Sequence, residues 1–316
     1  MAQLLVRRLG MLLLTLLISS FAIFSALSLA PGDPLASLSG GRALPPESVA
    51  VLEQRFHLDD PFLLRYWHWL SGAVQGDLGV SIMLRQNVSE LIGARIGVTA
   101  TLVLYAALLI VLFGVAAGVL AALRPGWLDS AVLVVTAVAA AVPSFLLAVI
   151  LISVFAVNLG WFPAFGDGSG GFLDRIWHLT LPAVALAGYS MAVVARVTRA
   201  AVREEAGREH VQTAISRGVP YRLVISRHVL RNAAIPISTV VGITVASLIA
   251  ISAVVERAFG LNGLGAYLIS AALSKDFAVV LGIALVLVTA FVVINTLVDV
   301  AAALLDPRVK TGGKAS

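Results

Sequence analysis

The chain has 316 residues, of which 59% are hydrophobic and 12% are charged, and its formal net charge is +5. Soluble domains carry about 25% charged residues, so this composition excludes an ordinary soluble protein as well as the collagen-like, disordered and disulfide-rich classes. The sequence has no cysteine, which excludes disulfides, thiolate metal sites and a thiol nucleophile.

Six apolar stretches are long enough to cross a bilayer as helices. Backbone groups in lipid must be hydrogen-bonded internally, and the period-two alternation of barrel strands is missing, so we predict an all-α integral membrane protein. Pro143 predicts a kink in the third span, and Pro182 leaves the ends of the short fourth span uncertain. The predicted spans are residues 9–30, 98–123, 131–157, 179–195, 233–255 and 277–298.

The first span has some features of a signal peptide, because Arg7 and Arg8 precede it and residues 28–30 faintly resemble a cleavage site. Its uncharged run is longer than the roughly 7–15 residues of a typical signal-peptide core. We therefore predict a transmembrane helix that is retained.

The distribution of basic residues predicts the orientation. With both termini in the cytoplasm, most of the 22 lysines and arginines lie inside, including the arginines from Arg196 to Arg231, as the positive-inside rule requires. The positive charge therefore reflects topology and contact with lipid headgroups. It does not indicate nucleic-acid binding, which would need a soluble basic face.

The outer segment 31–97 is too long for a simple connector and predicts two helices. Residues 45–56 begin with Pro-Pro-Glu and are amphipathic, and residues 61–74 begin with Pro61. The second helix carries Trp67 and Trp69, which either anchor the chain at the membrane interface or face an external partner or substrate. The sequence leaves both interpretations open.

The inner loop 196–232 has charges at helical spacing and predicts an amphipathic helical hairpin broken at Gly218 and Pro220. Its acidic residues Glu204, Glu205 and Glu209 have arginines nearby with which they can pair. Taken alone, this pattern indicates only a solvated helical face beneath the membrane.

Gln212-Thr213-Ala214 followed by Gly218, and then HVLRNAAIP at 228–236, resemble the EAA motif of permease subunits in ABC importers. The resemblance is strongest to the B-type subunits of oligopeptide, dipeptide and nickel importers, and its motifs follow in the same order over most of the chain. They are PGDP at 31–34, LDDP at 58–61, GDLGVS at 76–81, WFPA at 161–164, LPA at 181–183, QTA at 212–214 with Gly218, HVLRNAAIP at 228–236, VE at 255–256, GLG at 263–265 and DPR at 306–308.

The resemblance implies a type I ABC importer permease fold in a bacterial cell membrane, with six transmembrane helices and both termini cytoplasmic. It implies an N-terminal segment with the first span at 1–30, an extracytoplasmic loop at 31–97, and a core of five spans at 98–316 that contains the coupling loop 196–232. The implied partners are a second permease in a heterodimer, one or two ABC ATPase subunits, and an extracytoplasmic solute-binding protein.

The same resemblance implies that a short helix of the loop docks on the separate ATPase. Small residues such as Ala214 would permit close backbone approach, and Gly218 would permit the turn at the end of the helix. The implied coupling residues are Glu209, His210, Gln212, Thr213, Ala214, Arg217 and Gly218. The chain departs from the family pattern at His210 for tyrosine, Ile215 for arginine, Ser216 for alanine and Arg217 for lysine.

The chain has no phosphate-binding motif of its own. Its dense glycine stretch, residues 166–171, lacks the lysine and the strand–helix context of a P-loop. We therefore expect no cofactor on this chain, with ATP and Mg²⁺ held by partner ATPase subunits, and we expect no enzymatic activity or metal site here.

Polar residues within the spans suggest where solute passes. The fifth span carries small or weakly polar residues that are equally consistent with pathway lining and with helix packing: Thr239, Gly242, Thr244, Ser247 and Ser252. Gly114 and Gly118 form a small-residue face that favours helix packing. Asp299 lies at the inner end of the sixth span, where an interfacial acid is a simpler interpretation than a proton relay.

The sequence therefore predicts an ATP-driven, binding-protein-dependent importer subunit that forms half of a translocation pathway. The alternatives are an ion-coupled secondary carrier and a non-transporting scaffold subunit. Peptides are the expected substrate, with nickel chelates and glycosides as alternatives, because relatives of this kind serve all of these solutes.

Overall fold

In a computed structural model, which describes residues 2–29 and 60–305, the chain is almost entirely helical. Three of the helices contain a wider π-helical turn, at Ile110–Val115, Ile152–Asn158 and Val224–Val229. In chain order, the described helices are α1 (Ala2–Leu29), α2 (Phe62–Val74), α3 (Val88–Leu123), α4 (Trp127–Ala141), α5 (Ser144–Asn158), α6 (Phe172–Ala206), α7 (Glu209–Ser216), α8 (Tyr221–Ala258), α9 (Leu264–Leu273) and α10 (Phe277–Leu305).

The helices account for the six predicted spans. Helices α1, α3, α6, α8 and α10 are each long and apolar enough to cross a membrane, and the bent pair α4 and α5 gives a sixth span where the pair is counted as one. The bend is 103° and occurs at Val142 and Pro143. Because proline disfavours the helical conformation of the residue before it, Val142 is extended, with φ −90° and ψ 119°. The predicted kink is therefore a complete break.

The short fourth span predicted from the sequence, residues 179–195, lies within a longer helix. Helix α6 runs for 35 residues and continues through Pro182. Proline removes one backbone hydrogen bond but leaves the rest of the ladder, and transmembrane helices tolerate this loss. At its C-terminal end, Arg199 and Arg203 bind Asp129 of α4, which supports α6 beyond the apolar stretch.

The described chain divides into two compact units. The larger unit contains residues 100–261 and 293 onward. Helix α6 is its centre and packs against α3, α4, α5 and α8. Gly114 and Gly118 of α3 approach α6 so closely that a Cβ on Gly118 would lie 2.5 Å from the Ala195 carbonyl oxygen. The predicted packing role of this glycine face is confirmed.

Of the described residues, the smaller unit contains 3–29, 60–99 and 262–292. Helix α2 begins after Pro61, as predicted, and packs against α1 through Tyr66, whose hydroxyl lies 2.9 Å from the Ser20 hydroxyl. Trp69 packs beside Phe24, whereas Trp67 is 63% exposed. Of the two tryptophans, only Trp67 therefore presents its ring to a membrane or a partner.

Three predictions lie outside the described residues. These are the amphipathic helix at 45–56, the PGDP motif at 31–34 and the DPR motif at 306–308.

Candidate functional site in the inner loop

The short helix α7, Glu209–Ser216, lies between the two long helices α6 and α8. It ends in a Schellman motif: the Val219 amide donates to the Ala214 carbonyl at 3.2 Å, and the Gly218 amide donates to the Ile215 carbonyl at 2.9 Å. Gly218 has φ +74°, a conformation that glycine adopts without strain. The predicted break at Gly218 is therefore confirmed.

One face of α7 packs against its own chain. Val211 and Ala214 are buried in an apolar cluster with Val202, Val224, Val229 and Ala233. Ala214 is only 7% exposed, so its small side chain serves packing within the chain. The expected reason for a small residue at this position, close approach by a partner, is not what the structure shows.

The opposite face of α7 is exposed and polar. Gln212, Thr213 and Ser216 lie on it, and Ile215, on the flank of the helix, is 46% exposed. An open depression of about 570 Å³ runs beside this face. The residues that line the depression are Gly207, Glu209, Gln212, Thr213, Ser216 and Arg217.

A buried carboxylate, Glu205 near the end of α6, joins this helix to its neighbours. Its side chain is 8% exposed and accepts a hydrogen bond from Asn232 at 2.9 Å, while Arg208 Nε lies 3.0 Å and His210 Nε2 lies 3.2 Å from its carboxylate oxygens. Arg208 precedes α7, His210 belongs to it, and Asn232 belongs to α8. Glu205 therefore ties α6, α7 and α8 together.

A second ion-pair cluster lies at the start of α4. The Asp129 carboxylate accepts hydrogen bonds from Arg199, which binds it through Nε and Nη2, and from Arg203 at 2.7 Å. Arg203 also reaches the Ala121 carbonyl oxygen at 3.5 Å. This cluster fixes the C-terminal part of α6 against α3 and α4, shortly before α7 begins.

The predicted pathway residues of the fifth span lie in different environments. Gly242, Thr244 and Ser252 are buried within the chain, whereas Thr239 is exposed and Ser247 is half-buried. Each hydroxyl donates to a carbonyl of its own helix, and Gly242 lies against Val298 of α10. Lining of a pathway by this helix stays a prediction.

The glycine stretch at 166–171 folds around a carboxylate of its own chain. Asp174, in the first turn of α6, accepts a hydrogen bond from the Gly170 amide at 2.8 Å. A Cβ on Gly168 would lie 2.7 Å from the same carboxylate. The position where a phosphate-binding loop would hold an anion is thus occupied by Asp174.

The two carboxylates that hold the loop in place, Glu205 and Asp129, were not predicted as such from the sequence. The pairing of Glu205 with a nearby arginine was predicted, but its burial and its contacts with His210 and Asn232 were not. Asp129 was not singled out at all. Asp129 could have been noticed as an acidic residue in the first turn of an apolar helix. Nothing local in the sequence pairs it with Arg199, which lies 70 residues away.

The described helices define a multi-pass helical membrane protein with a short exposed helix between two long spans. Residues 114–311 match the family model described as binding-protein-dependent transport system inner membrane component, and residues 1–103 match the corresponding N-terminal model. The chain belongs to this family of transport permeases and is a multi-pass protein of the bacterial inner membrane.

Similar proteins match along nearly the whole chain. A putative peptide transport system permease protein of Brucella abortus (strain 2308) is 38% identical over 98% of this chain and 99% of its own length. The glutathione transport system permease protein of Escherichia coli (strain K12) is 34% identical over 96% of this chain and 98% of its own length. The predicted ABC importer resemblance and fold class are confirmed.

Proposed function

We propose that this chain forms half of the pathway of a peptide importer and couples that pathway to a separate ATPase through the exposed face of α7. The observation that carries the proposal is the two-sided character of α7. Val211 and Ala214 hold it to its own chain, while Gln212 and Thr213 stay exposed beside an open depression. A helix held this firmly on one side can transmit a force applied to the other.

The contacts of Glu205 indicate which helices would receive a force applied to α7. They connect α7 both to α6 and to α8, so a displacement of α7 by a partner would move the ends of two long spans together. The coupling residues at the partner interface would be the exposed ones, Glu209, His210, Gln212, Thr213 and Arg217, with Gly218 shaping the turn and Ala214 supporting the helix from within.

The implied complex contains a second permease subunit, one or two ATPase subunits that hold ATP and Mg²⁺, and an extracytoplasmic solute-binding protein. This chain would contribute no catalytic residue. Membership in the transport permease family supports this assembly. Di- or oligopeptides are the proposed solutes, supported by relatives whose names specify peptide or glutathione transport.

Uptake into proteoliposomes tests the proposal. The complete complex, with a peptide-loaded binding protein outside and ATP on the ATPase side, should accumulate labelled peptide even when a protonophore collapses the pH gradient. Omitting this chain should abolish uptake. Uptake by the isolated chain driven by an imposed pH gradient, and lost in Asp299→Asn, would replace the proposal with a secondary carrier; full uptake without the chain would make it a scaffold.

A further inference from the structure

Helix α6 is the most buried of the candidate spans, and between Leu179 and Val202 its exposed residues lie along one line. Tyr189 is 51% exposed, Arg196 and Ala200 are exposed, and Val193 is half-buried. These positions are separated by four, three and four residues, so they share one face of the helix. The residues beside them, such as Ser190 and Val194, are buried.

Arg196 directly follows the apolar stretch 179–195 of α6. It precedes Arg203 by seven residues, which places it about 10 Å further along the helix axis from the cytoplasmic end. Its Nε donates to the Thr136 hydroxyl at 3.3 Å. Thr136 follows Asp129 by seven residues on α4, so both helices place this contact about two turns deeper than the Asp129 cluster.

The three arginines on this part of α6 differ in their partners. Arg199 and Arg203 bind the Asp129 carboxylate. Within residues 2–29 and 60–305, Arg196 forms no ion pair with an acidic side chain, and its hydrogen-bond partner is the neutral hydroxyl of Thr136. A guanidinium next to an apolar stretch is favourable where it faces water or an anion.

We propose that the exposed face of α6 formed by Tyr189, Val193, Arg196 and Ala200 lines the solute pathway, and that Arg196 binds a carboxylate of the solute as it passes. This inference rests on the proposed role of the chain as half of a pathway. The guanidinium presents a planar fork of hydrogen-bond donors that matches a carboxylate. Every unmodified peptide carries a carboxylate at its C-terminus. Tyr189, two turns away, supplies a phenol on the same face.

The cysteine-free chain permits a direct test of accessibility. Single cysteines at Tyr189, Val193, Arg196 and Ala200 in the complete complex should react with small charged methanethiosulfonates in the aqueous phase. Two control positions should not react: Ser190, which is buried, and Leu104, which is 69% exposed on an apolar span. Nucleotide should change the four reaction rates, because alternating access opens the pathway to one side at a time.

The charge of Arg196 is tested by comparing reagents of opposite sign at Val193→Cys, one turn away. For each chain, the rate of the anionic sulfonatoethyl reagent is divided by the rate of the cationic trimethylammonium reagent. This ratio should be roughly five-fold higher in Val193→Cys than in the double variant Val193→Cys with Arg196→Gln. Arg196→Lys should keep this preference. Arg175→Gln, a charge change at the outer end of the same helix, should leave it unaltered.

The function of the pathway face is tested by uptake. Arg196→Gln should raise the concentration of carboxylate-bearing peptide needed for half-maximal uptake, with the ATPase activity of the complex retained. Unreactive cysteines at all four positions in a complex that still imports peptide would overturn the inference, because the face would then contact lipid or the second permease. The proposed importer function would survive that result, whereas loss of ATP dependence would remove both.

Discussion

Glu205 and Gly218 show how single residues determine the position of a partner-binding helix. Glu205 accepts a hydrogen bond from Asn232, pairs with Arg208 and contacts His210, and Gly218 closes the helix with a left-handed turn. The turn could be predicted because a glycine followed by Val-Pro is a local signal. The Glu205 cluster could not, because Asn232 lies 27 residues away and the contact depends on how α6 and α8 pack.

Substitution of Gly218 tests the turn. Gly218→Val places a β-branched residue at φ +74°, which strains the backbone by about 1–3 kcal/mol even though nothing lies within 4 Å of its Cβ. We expect peptide uptake and substrate-stimulated ATPase activity to fall sharply while the amount of chain in the membrane stays unchanged. Gly218→Asn is the matched control, because asparagine tolerates this conformation. Equal activity of the two variants would show that the turn is not needed.

Substitution of Glu205 tests the cluster. Glu205→Ala leaves Arg208, His210 and Asn232 without their shared acceptor, and hydrogen bonds to a charged group contribute about 1.5–3 kcal/mol each. We expect a lower melting temperature of the purified complex and faster proteolysis of the inner loop. Glu204→Ala is the control, because the neighbouring Glu204 side chain is 73% exposed and exposed ion pairs contribute about 0–1 kcal/mol. Similar losses in both variants would contradict the role of Glu205.

At the scale of elements, hydrophobicity predicts where helices exist better than where they end. The six spans follow from apolar length, and the break before α5 follows from Pro143. Residues 196–206 were predicted to be helical, but not as a direct continuation of the fourth span. Two of their charges, on Arg199 and Arg203, bind Asp129 of another helix, so the continuous helix includes a tertiary contact that local composition does not contain.

Close packing between α3 and α6 gives the sharpest prediction at this scale. A methyl group at Gly118 would lie 2.6 Å from the Thr198 Cβ and 2.5 Å from the Ala195 carbonyl oxygen. We expect Gly118→Ala to destabilise the chain by about 1–3 kcal/mol through overpacking, measured as a lower melting temperature. Gly93→Ala on the same helix has nothing within 4 Å of its Cβ and should be neutral or stabilising. A stable Gly118→Ala chain would contradict the packing.

For the whole molecule, the distribution of arginines predicts the orientation in the membrane. The charged inner loop and the Asp129 cluster both lie toward the same end of α6. This agrees with the positive-inside rule, which places that end and α7 in the cytoplasm. The orientation matters because ATP is available only on that side.

Thiol labelling tests this orientation. In the cysteine-free chain, Ser71→Cys and Ser169→Cys should react with an impermeant thiol reagent added to intact cells, because both positions belong to outer segments. Ser216→Cys, which is exposed on α7, should react only after the membrane is permeabilised. External labelling at Ser216 would reverse the topology.

The central claim is that the exposed face of α7 contacts the ATPase, and thiol-to-amine cross-linking in the active complex measures it most directly. Cysteines at Thr213 and Ser216, on the exposed face, should cross-link to the ATPase subunit with a short reagent. Cysteines at Val211 and Ala214, which are 2% and 7% exposed, should not. Absence of an ATPase cross-link from Thr213 and Ser216, in a complex that still imports peptide on ATP, would contradict the account.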